Sequence, residues 1–186
     1  MGRWQPNARG RLEQAALQLY VERGFDQTTV AEISAHAGLT ERTFFRHFSD
    51  KREVLFGGNQ LGEAMAAAVD EAPPSTTPLD AVAVALESAS DFFTDRRTHA
   101  RLRQSVIDAN PSLQERELIK LASLGASLGS ALRRRGVDEP AASLVAETGI
   151  AIFKVAFERW LTDPANRSLA EHLRESLAEL RAATQT

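Results

Sequence analysis

The stretch Thr29-Val30-Ala31-Glu32-Ile33-Ser34-Ala35-His36-Ala37-Gly38-Leu39-Thr40-Glu41-Arg42-Thr43-Phe44-Phe45-Arg46-His47-Phe48 carries two helix starts on either side of a glycine. Thr29 with Glu32 has the pattern of a capping box, in which a hydroxyl and a carboxylate three residues later satisfy the open amides of a helix start. Gly38 stops that helix and Thr40 opens the next. Two short helices joined by a tight turn with glycine make a helix-turn-helix. In the second helix Phe44 and Phe48 are four residues apart and share the core face, leaving Glu41, Arg42, Thr43, Phe45, Arg46 and His47 outside or at the edge. A surface that is polar, basic and aromatic together suits the major groove of DNA. Upstream, Leu12, Ala15, Ala16 and Leu19 keep the spacing of one buried helical stripe, which ends at Gly24 with Phe25 placed to fold back on it. The three helices predict a tri-helical head.

Charge follows the same division. The whole chain has a net charge of −3, but residues 1–52 hold eight Arg and Lys against six Asp and Glu, while the remainder holds 14 against 19. Opposite signs point to different partners. Arg3, Arg9 and Arg11 form an arm without acids that either reaches a minor groove or phosphates, or frays as an ordinary terminus. Cysteine is absent, which excludes disulfide frameworks, thiolate nucleophiles and cysteine-ligated metals. His36, His47, His99 and His172 are too far apart for a local metal pair, so neither a metal nor a cofactor is expected. Nothing resembles a nucleophile–base set, and Gly57 to Gly62 falls within an expected helix, following no strand, so it is no phosphate loop. An enzyme is therefore not expected. The longest apolar runs, such as 64–69 and 81–86, are far short of the ~18 residues of a membrane span. The start of the chain lacks the apolar core of a signal peptide. The expectation is a cytoplasmic protein with no membrane partner.

Prolines at 6, 73, 74, 78, 111, 140 and 164 punctuate stretches rich in Ala, Leu, Arg and Glu, and no stretch alternates with the period of a strand. Further helix starts are read at Thr77-Pro78, Ser112 with Glu115 and Ser168 with Glu171, and a stop at Arg133-Arg134-Arg135-Gly136. The fold class is all-α, with about nine helices near 8–23, 29–36, 40–47, 50–71, 78–95, 97–109, 112–135, 140–162 and 168–183. A DNA-binding domain over 1–56 is followed by a helical effector-binding and dimerisation domain over 57–186.

The run Gly24-Phe25-Asp26-Gln27-Thr28-Thr29-Val30, with Ile33, Ala37-Gly38-Leu39-Thr40, Thr43-Phe44-Phe45, His47-Phe48, Lys51 and Leu55, resembles the DNA-binding domain of the TetR family of bacterial transcriptional regulators. The resemblance implies that Glu41, Arg42, Thr43 and Arg46 face base edges or nearby phosphates, and that Thr29, His47 and Lys51 position the backbone. Glu41 either accepts from a cytosine amino group or caps its helix and repels wrong sites. Where the family often has tyrosine, Phe45 has no hydroxyl for a phosphate, so any contact it makes is packing against sugar or backbone. Residues from about 58 onward resemble the ligand-binding and dimerisation domain of the family, with 96–135 similar to its mycofactocin-regulator-like branch. In that light Phe92, Leu102, Val106, Leu121, Phe153, Phe157 and Trp160 are candidates to line a pocket, with plain core as the alternative. The cluster Arg96 to Arg103 either holds an anionic ligand group, is a solvated face or contacts acids of the DNA-binding domain.

Helix eight is apolar nearly all round and so needs cover on both sides. Together with the stepped leucines of the last helix it suggests a dimer seam through Val145, Ile152, Leu169, Leu173, Leu177 and Leu180. Glycines 57, 58 and 62 weaken the helix that joins the domains and make either a hinge or a small kink. The function expected is a homodimeric, ligand-responsive regulator that binds double-stranded operator DNA, a repressor released by a small-molecule effector. The alternatives are an activator of the same fold and a helical interaction module without DNA binding.

Overall fold

The computed structural model describes residues 7–184. Among the described residues are nine α-helices, two short 3-10 turns and no strand, in agreement with the all-α expectation. The helices are α1 (Ala8–Arg23), α2 (Val30–His36), α3 (Glu41–His47), α4 (Gln60–Glu71), α5 (Pro78–Ala89), α6 (Arg97–Asp108), α7 (Pro111–Arg134), α8 (Ala141–Thr162) and α9 (Leu169–Thr184). Most of the starts are capped as the sequence predicts. Thr29 and Glu32 form a complete capping box, Thr40 accepts from the amide of Thr43, and Thr77 accepts from that of Asp80 with Pro78 in the first turn. Ser168 and Glu171 exchange amide bonds of 2.7 and 3.3 Å at the start of α9. Ser112 does not cap, because α7 already begins at Pro111, whose missing amide proton suits a first helical position.

The helix expected over 50–71 is in two pieces, a 3-10 turn at Glu53–Leu55 and α4 from Gln60. Gly57 between them has φ 63°, a left-handed conformation that no continuous helix contains. The expected weak point inside a helix is thus a turn, and of the three glycines only Gly62 lies within α4.

Contacts divide the chain into two compact units. One comprises the described residues through Gly57 with Arg101–Leu118; the other comprises Gly58–Ala100 with the described residues from Ile119 on. Helices α6 and α7 therefore supply residues to both. The first unit packs Leu12, Ala16, Leu19, Tyr20, Ile33, Phe44 and Phe48 into a core that Val106, Ile107 and Leu113 complete. In the second, α5 lies against α4, α8 and α9, with Met65, Val82, Leu86, Ile152, Phe153, Trp160, Leu169 and Leu173 among the buried side chains. No helix of the described residues is long and apolar enough to cross a membrane.

Candidate nucleic-acid interface

Helix α3 is fixed from beneath. Phe44 is fully buried, Phe48 nearly so, and their rings lie 5.5 Å apart. The turn before α3 needs Gly38 twice over. Its φ is 63°, and a β-carbon there would meet Nη2 of Arg11 at 2.8 Å. Arg11 uses that nitrogen to donate to the carbonyl oxygen of Ala37, the last turn of α2. Arg9 pairs with Glu13 and stands 5.0 Å over the Phe48 ring. Two members of the expected basic arm are therefore built into the head, and Arg3 lies outside the described residues.

On the outer surface of α3, Glu41, Arg42, Phe45 and Arg46 are exposed, while Thr43 is half-buried with its hydroxyl 3.1 Å from that of Thr40. Among the described residues none of Glu41, Arg42 and Arg46 has an intrachain ion pair, so their charges face outward. Phe45 is 55% exposed and stands edge-on to Phe44, centroid to centroid 5.4 Å. These four side chains are brought together as the sequence predicts. Their spacing of three and four places them on adjoining strips of one short helix.

Of the three residues expected at the DNA backbone, Thr29 and Lys51 have partners within the chain. The hydroxyl of Thr29 donates to Glu32 at 2.9 Å and accepts from its amide at 3.2 Å, so it is engaged in the cap. The Nε2 of His47 is buried without a hydrogen-bond partner. Lys51 has partners within the chain. Its ammonium donates to the carbonyl oxygens of Phe25, Thr28 and Asp26 at 2.8, 2.9 and 3.3 Å and stands 4.4 Å over the Phe25 ring. An ammonium has three donors, and all three are engaged in closing the loop between α1 and α2. The backbone of Lys51 is held as well, since Tyr20 donates to its carbonyl at 2.6 Å. Burial, helped by the charge of Asp50, pushes the Tyr20 phenol well above its ordinary range, so it remains a donor.

A brace that the sequence does not announce lies in the same unit. Arg103 of α6 donates to the carbonyl of Leu55 at 2.7 Å and to Glu117 of α7 at 3.1 Å, with its guanidinium 5.0 Å over the Phe56 ring. Burial draws the Arg103 pKa down, and the Glu117 carboxylate opposes that shift. Arg116 of α7 pairs with Glu53. These partners are separated by 14 to 63 positions, beyond the reach of any local spacing rule.

The expected pocket residues are dispersed. Phe153, Phe157 and Trp160 come together on α8, and Phe93 joins them with ring centroids at 6.2, 5.3 and 6.0 Å. Leu121 packs at the edge of the same core. Phe92 and Leu102 are exposed, and Val106 is buried in the core of the first unit. Phe93 continues the buried stripe of Val82, Leu86 and Ala89 at helical spacing, and so faces inward in place of Phe92. In the basic cluster, Arg97 donates to Asn166 at 2.8 Å and to the carbonyl of Asp163, 5.8 Å from the Trp160 ring.

The residues expected at a dimer seam divide between core and surface. Ile152, Leu169 and Leu173 are buried in the core of this chain, and Val145, Leu177 and Leu180 pack against it. The stripe finds α5 and α8 of its own unit. What α8 leaves outward is Leu144, 65% exposed, and Val155, 45% exposed, with exposed Ala151 between them at helical spacing.

Residues 13–56 match the family model of bacterial regulatory proteins of the tetR family, and residues 76–185 match that of the MftR C-terminal domain. The chain belongs to the TetR family. It is accordingly a DNA-binding regulator of transcription, and the matched segment 13–56 contains α2, the Gly38 turn and α3. The TetR-family relatives include the mycofactocin biosynthesis transcriptional regulator MftR of Mycobacterium tuberculosis, 25% identical over 167 residues that span 88% of this chain and 84% of that one. The transcriptional regulator TcmR of Streptomyces glaucescens is 37% identical over 81 residues, 43% of this chain and 36% of TcmR, so that match spans about a third of the relative. Among solved structures, the regulator FadR of Bacillus subtilis in complex with stearoyl-CoA has the same fold, with a TM-score of 0.63 and 18% identity over 92% of this chain and 96% of that one.

Proposed function

We propose that this TetR-family chain is a homodimeric repressor acting in the cytoplasm, whose α3 enters the major groove of an operator half-site and which a small-molecule effector releases. DNA contact belongs to the segment through residue 56, and effector binding and dimerisation to 57–186. The observation that carries the reading is the outer surface of α3, where Arg42, Arg46 and Glu41 stand without intrachain ion pairs beside exposed Phe45, on a helix made rigid by Phe44 and Phe48. Two heads are needed for two half-sites, and the outward stripe Leu144, Ala151 and Val155 of α8 is the apolar surface offered for pairing. An effector with aromatic or aliphatic bulk suits the group Phe93, Phe153, Phe157 and Trp160. To release DNA it must bind the incompetent state more tightly, and coupling of about 1–3 kcal/mol is the ordinary scale.

The test is enrichment of DNA from a random-sequence duplex library, followed by titration of the enriched duplex at several salt concentrations. The expected result is a selected, two-fold symmetric sequence whose affinity falls steeply with salt as phosphate counterions are released. Binding to no duplex, or binding indifferent to salt, would remove the DNA-binding reading for this chain.

A further inference from the structure

We propose that Phe45 is a specificity-determining residue that reads the 5-methyl group of a thymine in each half-site. The inference rests on the DNA-binding reading above and deepens it. Phe45 is the exposed aromatic ring of α3, 55% accessible, and its position is set by the edge-on contact with fully buried Phe44. Its ring has no polar atom, so it neither donates to a phosphate nor hydrogen-bonds a base.

Where the ring stands on the helix selects what it meets. At about 100° per residue, Arg42 and Arg46 lie nearly opposite the stripe made by Phe44 and Phe48, and Phe45 lies on the flank between that stripe and the two arginines. With the arginines directed into a groove, the flank faces the wall of that groove. The apolar group that duplex DNA presents in the major groove is the thymine methyl, carried on C5 at the edge nearest the sugar–phosphate wall. The neighbouring arginines supply the charge complementarity that brings a polyanion to this surface. A phenyl ring against that methyl removes apolar area from water on both partners and leaves no polar group unsatisfied.

The experiment uses the duplex enriched by the wild-type chain. Each thymine is replaced in turn by uracil, which deletes the methyl and leaves every hydrogen-bonding group of the base pair in place. Affinities are measured for wild type and Phe45→Ala, with thermal unfolding of the variant as the check on its fold; the exposed position predicts little change. The expected result is one thymine per half-site whose conversion weakens wild type about fourfold, the scale of one buried methyl, and about sixteenfold when both half-sites are changed. The same conversions leave Phe45→Ala unaffected. Uracil substitutions that cost wild type and variant the same factor at every position would overturn the assignment while leaving DNA binding intact. Absence of salt-dependent binding by wild type to any duplex would overturn it together with the reading on which it rests. Because the uracil series on wild type needs no variant, the proposal remains testable even if Phe45→Ala fails to fold.

Discussion

Lys51→Met separates a strut from a phosphate ligand. Methionine keeps an unbranched stem of similar length and deletes the ammonium. The loss is two short, part-buried bonds to the carbonyls of Phe25 and Thr28, a longer exposed one to Asp26, and the cation over the Phe25 ring. Hydrogen bonds to charged groups contribute about 1.5–3 kcal/mol each. Water replaces the exposed bond at little cost, and the freed side chain recovers up to ~2 kcal/mol of rotamer entropy. The balance is a destabilisation of about 2 kcal/mol, or roughly 4–8 °C in the midpoint of a chain of this size. Thermal and urea unfolding give the stability, and a salt titration of the enriched duplex, well below the midpoint, gives the number of phosphates neutralised. Each lost phosphate contact flattens the slope of log K against log salt by about 0.9. The expected result is lowered stability with an unchanged slope. Full stability with a flattened slope would return Lys51 to the phosphate backbone and refute the reasoning from its carbonyl partners.

Arg103→Met leaves the Leu55 carbonyl and the Glu117 carboxylate without their shared donor and costs about 2–3 kcal/mol, read as a lower urea midpoint; a midpoint equal to wild type would show the brace to be dispensable. Gly57→Ala forces a β-carbon into a left-handed turn and costs about 1–2 kcal/mol, while Gly58→Ala is near neutral; equal midpoints for the two variants would contradict the turn. Amide bonds from Ala165 and Arg167 and the Arg167 and His172 side chains hold Asp163 well below the usual carboxylate range despite some burial. Its folded pKa is depressed, so its contribution is complete above about pH 4 and disappears as pH falls through the folded value; Asp163→Asn flattens this acid limb, and unfolding curves against pH show whether it does. Leu144→Glu places charge in the outward stripe of α8 and shifts the dimer proposed for the wild-type chain towards monomer in sedimentation; an unchanged dimer would place the pairing surface elsewhere.

What could be read from the sequence was local. A capping box such as Thr29–Glu32 and a hydrophobic stripe such as Leu12, Ala15, Ala16 and Leu19 are complete within a few residues, so their pattern and their geometry coincide. Periodicity states that a face is buried without naming what buries it, and the leucines of α9 show the difference. Leu169 and Leu173 have the spacing of a dimer seam and lie in the core of their own unit. Charge carries the same ambiguity: a lysine after a recognition helix suits a phosphate and suits carbonyl oxygens equally, and the choice rests on Phe25, Asp26 and Thr28, more than twenty positions upstream. Arg103 is more remote still, 48 positions from the carbonyl it binds. The head core closes only with Val106, Ile107 and Leu113, and the helices carrying those side chains continue into the second unit. The exposure of the α3 surface was legible because its side chains point outward and need no partner in the chain. The residues that hold it in place were less so, since half of each such contact lies far away in sequence.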